Sequence, residues 1–306
     1  MDSPDEEDLS WKTGRSEVPV DQVVNILVTI TLIQLMVTVG LGVTFTDVAH
    51  VARNWGLVAR AAVANYVLVP AIATGLLVLF HAPPLVAAGF LVAAVCPGAP
   101  YGPPFTGMAK GNVPISVGLT VMLAGSSAIV APILLHVLLP VTSGEEPLRV
   151  DAGRMVGTLF LTQLIPLGLG LVIRQCRPDV AEKLRKPANR LSVVLNFAAF
   201  SLIVVLDFHL LASIRVLGLE GILLLVIAAL ADGWLLGGPG DDRRTAMTFS
   251  TGARNVSVSL VIVTASFPRT PAVTAVLAYA LFQTIVLALL AMGWGRWTVS
   301  RRQTTR

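Results

Sequence analysis

The stretch CPGAPYGPPFTGMAKGN, residues 96–112, decides the fold because it interrupts a membrane span. Residues 85–96, LVAAGFLVAAVC, are apolar throughout, but a helix needs about 20 such residues to cross a bilayer. Seven prolines and glycines follow between residues 97 and 107, and proline both removes an amide donor and clashes with the preceding turn. Irregular backbone at membrane depth is tolerated where it lines a cavity or is buried in protein. The stretch therefore predicts a broken helix of the transporter type, with a loop between two re-entrant pieces as the alternative.

The composition is that of an integral membrane protein. Hydrophobic residues make up 55% of the 306 residues and charged residues only 13%, against about 25% charged residues in a soluble domain. The net charge of +4 comes from basic residues between apolar runs, which favours membrane topology over nucleic-acid binding. Cys96 and Cys176 provide neither a disulfide framework nor a metal-ligand cluster, so we expect no metal and no cofactor.

The pattern of apolar runs predicts an all-α polytopic protein with about nine transmembrane helices. A disordered acidic tail at residues 1–20 precedes a transmembrane domain at residues 21–296, and a basic cytoplasmic tail follows at residues 297–306. The predicted spans cover residues 23–45, 55–80, 85–110, 113–139, 155–173, 191–211, 217–236, 246–267 and 272–294.

The distribution of lysine and arginine predicts the orientation. With nine spans, 15 basic residues lie on the side of the C-terminus and six on the other, and basic residues accumulate on the cytoplasmic side. We therefore expect the N-terminus outside and the C-terminus in the cytoplasm, in the inner (cell) membrane of a bacterium. The basic segment QCRPDVAEKLRKPANR, residues 175–190, is interpreted as a linker between two halves, with a short helix on anionic headgroups as the alternative.

A second interruption lies in the predicted eighth span, at FSTGARNVSVS, residues 249–259. Arg254 follows the cytoplasmic Arg244 by ten residues, which at a rise of about 1.5 Å per residue places it near the middle of the membrane. Two polar breaks at the midplane, one in each half of the chain, are typical of secondary transporters built from inverted repeats.

Three motifs resemble the bile acid:sodium symporter family. They are CPGAPYGPPFTGMAKGNVPISVGLT at residues 96–120, STGARN at residues 250–255 and ANYVLVP at residues 64–70. The resemblance implies inverted repeats with two unwound helices that cross at the midplane. The first repeat would lack its opening helix, which gives a 4+5 arrangement.

The resemblance also implies two sodium sites in the crossing region, and this chain departs from the family there. The hydroxyls of Ser116 and Thr120 are kept, Asn65 replaces a glutamine, Gly102 and Pro103 replace a Ser-Asn pair, Ser250 replaces the shared glutamate and Arg254 replaces a glutamine. A hard cation prefers several oxygen ligands, with at least one carboxylate. Because the carboxylate is gone and a positive charge is added, we expect no sodium coupling by the family mechanism.

Arg254 has three open interpretations. An arginine at the midplane costs about 2.5–3.5 kcal/mol on insertion scales and is usually functional and paired. Its guanidinium could bind an anionic substrate through two hydrogen bonds to a carboxylate or sulfonate. It could instead replace the sodium charge, or it could only satisfy carbonyl groups freed by the break at residues 97–107.

Two further residues accompany Arg254. Asn255 matches an asparagine of the family motif and is expected to bond freed backbone. Asp232 is a possible counter-ion of Arg254 or a proton site, or it reaches only the inner membrane interface.

We interpret the chain as a secondary transporter that moves a small organic anion across the lipid bilayer by alternating access. Its substrate and ion site is predicted to include Asn65, Ser116, Thr120, Ser250, Thr251, Arg254 and Asn255. The alternatives are a metalloid-type efflux permease and a non-transporting membrane receptor or scaffold with the same fold. An enzyme is not expected, because the sequence contains no recognisable nucleophile–base motif.

Overall fold

The structure is a computed structural model that describes residues 20–142, 148, 150–206, 208–209 and 216–304. Within these ranges every secondary-structure element is helical, so the predicted all-α class is confirmed. Residues 1–19, nearly all of the predicted acidic tail, lie outside the described residues, and the disorder of the tail stays a prediction.

The described helices in chain order are α1 (Val20–Leu41), α2 (Phe45–Ala52), α3 (Trp55–Leu79), α4 (Pro84–Val95), α5 (Gly102–Met108), α6 (Val113–Thr142), α7 (Ala152–Cys176), α8 (Pro178–Leu206), α9 (Val216–Leu236), α10 (Asp241–Gly252), α11 (Val256–Ser266) and α12 (Pro271–Thr304). Seven of these described helices are long and apolar enough to span a membrane: α1, α3, α6, α7, α8, α9 and α12. Large apolar side chains such as Phe197 and Leu235 are exposed, as expected for surfaces that face lipid.

Two of the spanning helices contain a π-helical turn shortly before a proline. The turns cover residues 64–68 in α3 and 160–164 in α7, and Pro70 and Pro166 follow them. A proline has no amide to donate to the preceding turn, and a wider turn accommodates the resulting irregularity. Each π turn also carries a fully buried amide side chain, Asn65 in α3 and Gln163 in α7.

The two interrupted segments occur where the sequence predicts them. The first consists of α4 and α5, separated by residues 96–101, and the second of α10 and α11, separated by residues 253–255. The pieces pack across each other, with α4 against α11 and α5 against α10. The amide of Asn255 in the second break donates to the carbonyl of Cys96 in the first (2.7 Å). The two breaks therefore meet in the interior.

Glycines allow close backbone approach at two positions that shape this arrangement. Gly98 has a φ of +82°, and a Cβ there would lie 2.3 Å from the backbone nitrogen of Ala124 in α6. Gly40 in α1 and Gly170 in α7 face each other, since a Cβ on Gly170 would lie 2.9 Å from the Cα of Gly40. Small residues at helix contacts are how membrane helices gain packing without a hydrophobic drive between them.

Two segments that the sequence analysis placed outside the spans are helical. Residues 178–190, interpreted as part of a linker, are helical and continuous with the spanning part of α8. The last helix extends to Thr304, so residues 297–304 of the predicted tail are helical too. Residues 175–190 contain two prolines and no glycine. Pro178 stands at the first position of α8, where a proline is well tolerated, and Pro187 lies inside the helix.

Candidate functional site at the helix crossing

The second break places Arg254 in the protein interior, with none of its surface exposed. Its amide donates to Oε1 of Gln283 in α12 (2.9 Å). Its carbonyl accepts from Nε2 of Gln283 (3.2 Å) and from the hydroxyl of Tyr101 in the first break. Gln283 also donates to the Tyr101 hydroxyl (2.7 Å). Both backbone groups of Arg254 are therefore fixed, and so is the start of its side chain.

The guanidinium of Arg254 reaches the end of α4. Nη1 donates to the carbonyl of Ala94 (3.2 Å), in the last turn of α4, where carbonyls lack a helical partner. Helix α10 ends at Gly252, two residues before Arg254. The C-terminal end of a helix carries partial negative charge, so that Arg254 puts a positive charge where two such ends meet. The carbonyl partner predicted within residues 97–107 is instead Ala94, just before that stretch.

The other two nitrogens of the guanidinium, Nε and Nη2, are buried and have no hydrogen-bond partner among the described residues. The hydroxyl of Tyr279 in α12 is also buried and unpartnered; it lies beside the guanidinium without meeting hydrogen-bond geometry. Asp232 in α9 interacts with Arg254 electrostatically, but no ion pair within 4.0 Å joins them in the described chain. A buried polar atom without a partner costs about 1–3 kcal/mol, so three such donors together need an explanation.

Asn255 ties the two breaks together and also caps a helix. Its Oδ1 accepts from the amide of Val258 (3.3 Å) at the N-terminus of α11, and its Nδ2 donates to the carbonyl of Gly98 (3.3 Å). The expectation that Asn255 bonds freed backbone is confirmed.

Two hydroxyl residues of the predicted ion site bond to each other. Ser116 in α6 and Ser250 in α10 lie 2.9 Å apart (Oγ to Oγ), and Thr106 in α5 donates to Ser116 (3.0 Å). Thr120 lies beside Gly102, since a Cβ on Gly102 would be 3.7 Å from the Thr120 hydroxyl. All four hydroxyl residues are buried. The result is a neutral hydroxyl chain, without a carboxylate.

The remaining predicted residues form a second pair. Asn65 donates from Nδ2 to the hydroxyl of Thr251 (3.3 Å), and its Oδ1 is buried without a partner among the described residues. The structure thus brings Asn65, Ser116, Thr120, Ser250, Thr251, Arg254 and Asn255 together from α3, α6, α10 and the second break, while Asp232 stands half-buried in α9 next to them. Their binding roles stay predictions.

Sequence reasoning missed five residues of this region: Tyr101, Thr106, Gln163, Tyr279 and Gln283. The two glutamines had a signal, because each is a lone amide in an otherwise apolar span and a buried amide needs partners. Gln163 finds them in α6, where it donates to the carbonyl of Ala124 and to Ser127 (3.1 Å).

The two cysteines differ in their exposure to solvent. Cys96 is buried and Cys176 is exposed, and both are free thiols. Across the described ranges, no three or more His, Cys, Asp or Glu residues lie together as a metal site requires.

Comparisons with known proteins agree with a transport role. The profile of the Sodium Bile acid symporter family matches residues 29–214. The chain is 24% identical over 272 residues to the hepatic sodium/bile acid cotransporter of Rattus norvegicus, covering 85% of this chain and 73% of the rat protein. It is 28% identical over 147 residues to the uncharacterized sodium-dependent transporter YocS of Bacillus subtilis (strain 168), covering 48% and 44% of the two chains.

A plant protein is similar over about half of the chain. The probable sodium/metabolite cotransporter BASS2, chloroplastic, of Oryza sativa subsp. japonica is 25% identical over 170 residues, covering 56% of this chain and 39% of the rice protein. The matched regions thus span less than half the length of the Bacillus and rice proteins.

Proposed function

Because this chain belongs to the sodium bile acid symporter family, a family of membrane transporters, we propose that it moves a small organic anion by alternating access without sodium. The observation that carries the proposal is the fixed positive charge of Arg254, fully buried where the C-terminal ends of α4 and α10 meet. The meeting point of two helix C-termini favours a positive charge, and in this chain the guanidinium of Arg254 supplies it.

The family and the relatives support the anionic substrate. The rat relative is named as a cotransporter of sodium and bile acid, and the rice relative as a probable cotransporter of sodium and a metabolite. A bile acid is an organic acid and carries a carboxylate or sulfonate at neutral pH. A buried arginine in the crossing region of this chain is chemically suited to such a group.

The hydroxyl chain supports independence from sodium. Ser116 and Ser250 are bonded to each other, so that binding a sodium ion there would first require breaking that contact. The hydroxyl chain itself offers sodium no carboxylate ligand, and sodium there would face the positive charge of Arg254 nearby. Hard cations are held by several oxygens, usually with carboxylate among them.

Uptake into proteoliposomes tests the proposal. The purified chain is reconstituted, and a small organic anion found by a thermal-shift screen is supplied outside with either sodium or choline as the cation. We expect saturable uptake at the same rate in both salts. The absence of uptake would favour the receptor or scaffold alternative, and a saturable dependence on sodium would refute the sodium-independent mechanism.

The proposed architecture is nine spans in 4+5 inverted repeats, with the N-terminus outside. Seven spanning helices plus the two interrupted segments would give nine crossings. The packing of α4 on α11 and of α5 on α10 supports a crossing between the two halves. Reporters that distinguish the two sides of the membrane, fused at each terminus, should read external before Met1 and cytoplasmic after Arg306. Reporters that place both termini on the same side of the membrane would contradict the nine-span count.

A further inference from the structure

The crossing contains hydrogen-bond donors that no acceptor in the described chain meets. They are Nε and Nη2 of Arg254 and the hydroxyl of Tyr279, on two residues that are fully buried. Nη1 of the same guanidinium is already occupied by the carbonyl of Ala94 (3.2 Å). Buried donors are normally satisfied, and three that lie together indicate an acceptor-rich group that is not part of this arrangement.

The geometry of arginine narrows the shape of that group. Nε and Nη2 share one edge of the planar guanidinium, and their N–H bonds are nearly parallel. This edge matches two oxygens of a carboxylate or sulfonate, which it holds by two parallel hydrogen bonds. The bond from Nη1 to Ala94 fixes the plane in advance, so that the edge is oriented before any ligand arrives.

We propose that the free edge of Arg254 and the Tyr279 hydroxyl together bind one carboxylate or sulfonate group of the transported anion. This assignment rests on the proposed transport function and specifies the chemical class of its substrate. A carboxylate or sulfonate accepts all three hydrogen bonds and neutralises the guanidinium. A neutral alcohol or amide satisfies fewer donors and leaves the charge unbalanced.

Access to this site requires movement. Arg254 and Tyr279 are closed to solvent in this arrangement, so the anion reaches them only when the helices around the crossing separate. Alternating access supplies such a movement, and the buried site corresponds to its occluded stage.

One internal carboxylate acts on the same guanidinium. Oδ2 of Asp232 is buried and has no hydrogen-bond partner among the described residues. Asp232 acts on Arg254 electrostatically, and its negative charge opposes an incoming anion. The assignment therefore predicts that Asp232→Asn tightens anion binding.

Two tyrosines provide a matched pair of variants. The Tyr101 hydroxyl donates to the carbonyl of Arg254 and accepts from Gln283, whereas the Tyr279 hydroxyl meets no hydrogen-bond partner within the described part of the chain. Tyr101→Phe should therefore lower the melting temperature of the ligand-free protein. Tyr279→Phe should leave it unchanged or raise it, yet weaken anion binding about tenfold, as expected for one lost hydrogen bond to a charged group.

The experiment is a thermal-shift titration of the full chain in detergent at constant ionic strength. The probes are acetate, benzoate and ethanesulfonate, with benzamide as the neutral match of benzoate. We expect at least one anion to raise the melting temperature saturably and benzamide to have no effect. Arg254→Lys should keep the fold and lose most of the affinity, because lysine retains the charge without the planar edge.

Four outcomes would overturn the assignment. The first is that none of the three anions binds, and the second is that benzamide binds as well as benzoate. The third is that the anion affinity is unaltered in both Tyr279→Phe and Arg254→Lys. The fourth is that Asp232→Asn lowers the stability of the protein without tightening anion binding. The last would assign the free edge to Asp232.

Proteoliposome uptake separates this assignment from the proposed function. Uptake that persists in both variants with an unchanged KM would leave the transport function standing and remove the anchor. A wild-type protein that binds an anion with the expected variant effects, but transports none, would support the anchor and remove the transport function.

Discussion

The two breaks of the crossing differ in length and chemistry. The first spans six residues, 96–101, and contains two prolines and a glycine. The second spans three residues, 253–255, and contains neither proline nor glycine. One is broken because its residues cannot form a helix, whereas the other contains residues that tolerate a helix and is held open by its partners.

The hydrogen bonds between them run mostly in one direction. The first break and the end of α4 supply carbonyl acceptors at Ala94, Cys96 and Gly98. The second break supplies the donors of Arg254 and Asn255, and Tyr101 returns one bond to the Arg254 carbonyl. The comparison shows that where prolines remove backbone N–H donors from a segment, its carbonyls need hydrogen-bond donors from another segment. Arg254 adds the positive charge that the helix ends favour.

The largest expected loss of stability comes from adding a Cβ at Gly98, in the turn of the first break. In Gly98→Ala, the new Cβ would lie 2.3 Å from the Ala124 nitrogen at a φ of +82°. Backbone strain and overpacking, about 1–3 kcal/mol each, should together cost about 2–6 kcal/mol or prevent folding. Melting temperature and the yield of monodisperse protein in detergent measure this. The control is Gly75→Ala, where a Cβ meets nothing within 4 Å; equal stability of the two variants would contradict the prediction.

The next effect concerns the charge of the second break. Arg254→Gln should lower the free energy of unfolding by about 2–3 kcal/mol, because a charged donor to a buried carbonyl is lost. Arg254→Lys should be partly tolerated, since the charge remains. Melting curves of purified protein measure both variants. An unchanged curve for Arg254→Gln would show that the second break does not depend on its charge.

A double variant tests whether a bound sodium ion can replace the positive charge of Arg254. Ser250→Glu combined with Arg254→Gln restores a carboxylate and removes the fixed charge. Its melting temperature should rise with sodium, as for any ligand that binds the folded state, and the wild-type protein should show no such rise. Identical curves of the double variant in sodium and in choline would count against Arg254 as a substitute for the ion.

A smaller effect is expected at Asn255. Asn255→Ala removes a helix cap and a bond to the Gly98 carbonyl, at a combined cost of about 2 kcal/mol. Asn112→Ala is the matched control, because Asn112 caps α6 through Ile115 (3.1 Å) and, in the described chain, its side chain bonds to neither break. It should cost only about 1 kcal/mol. Equal melting temperatures of Asn255→Ala and Asn112→Ala would mean that the bond from Asn255 to the Gly98 carbonyl contributes nothing to stability.

The smallest effect is expected in the hydroxyl chain. Ser250→Ala removes the contact with Ser116 and should cost about 0.5–1.5 kcal/mol. Thr248→Val in the same helix is the control, since the one bond of the Thr248 hydroxyl to a described residue is to the Arg244 carbonyl of its own helix (2.8 Å). A loss at Ser250 as large as that at Arg254 would show that hydroxyls rather than charge hold the crossing.

Part of this architecture follows from local sequence. The density of proline and glycine between residues 97 and 107 excludes a regular helix whatever surrounds it, and the apolar runs on either side require a membrane. The second break was found from polar residues at midplane depth, STGARN, which an apolar span does not otherwise contain. Arg254 stood out for the same reason, because a charge at that depth is costly.

The partner of each polar group was decided only by the tertiary structure. Arg254 and Ala94 are 160 residues apart in sequence, and neither periodicity nor propensity relates them. Tyr279 lies in an apolar helix where an aromatic residue gives no signal, and its hydroxyl matters only because α12 brings it beside the guanidinium. The sequence by itself determined that two helices break and that a charge enters the membrane, since these follow from neighbouring residues. Which carbonyl the charge meets, and which of its donors stay free, depends on how α4, α10 and α12 pack against one another.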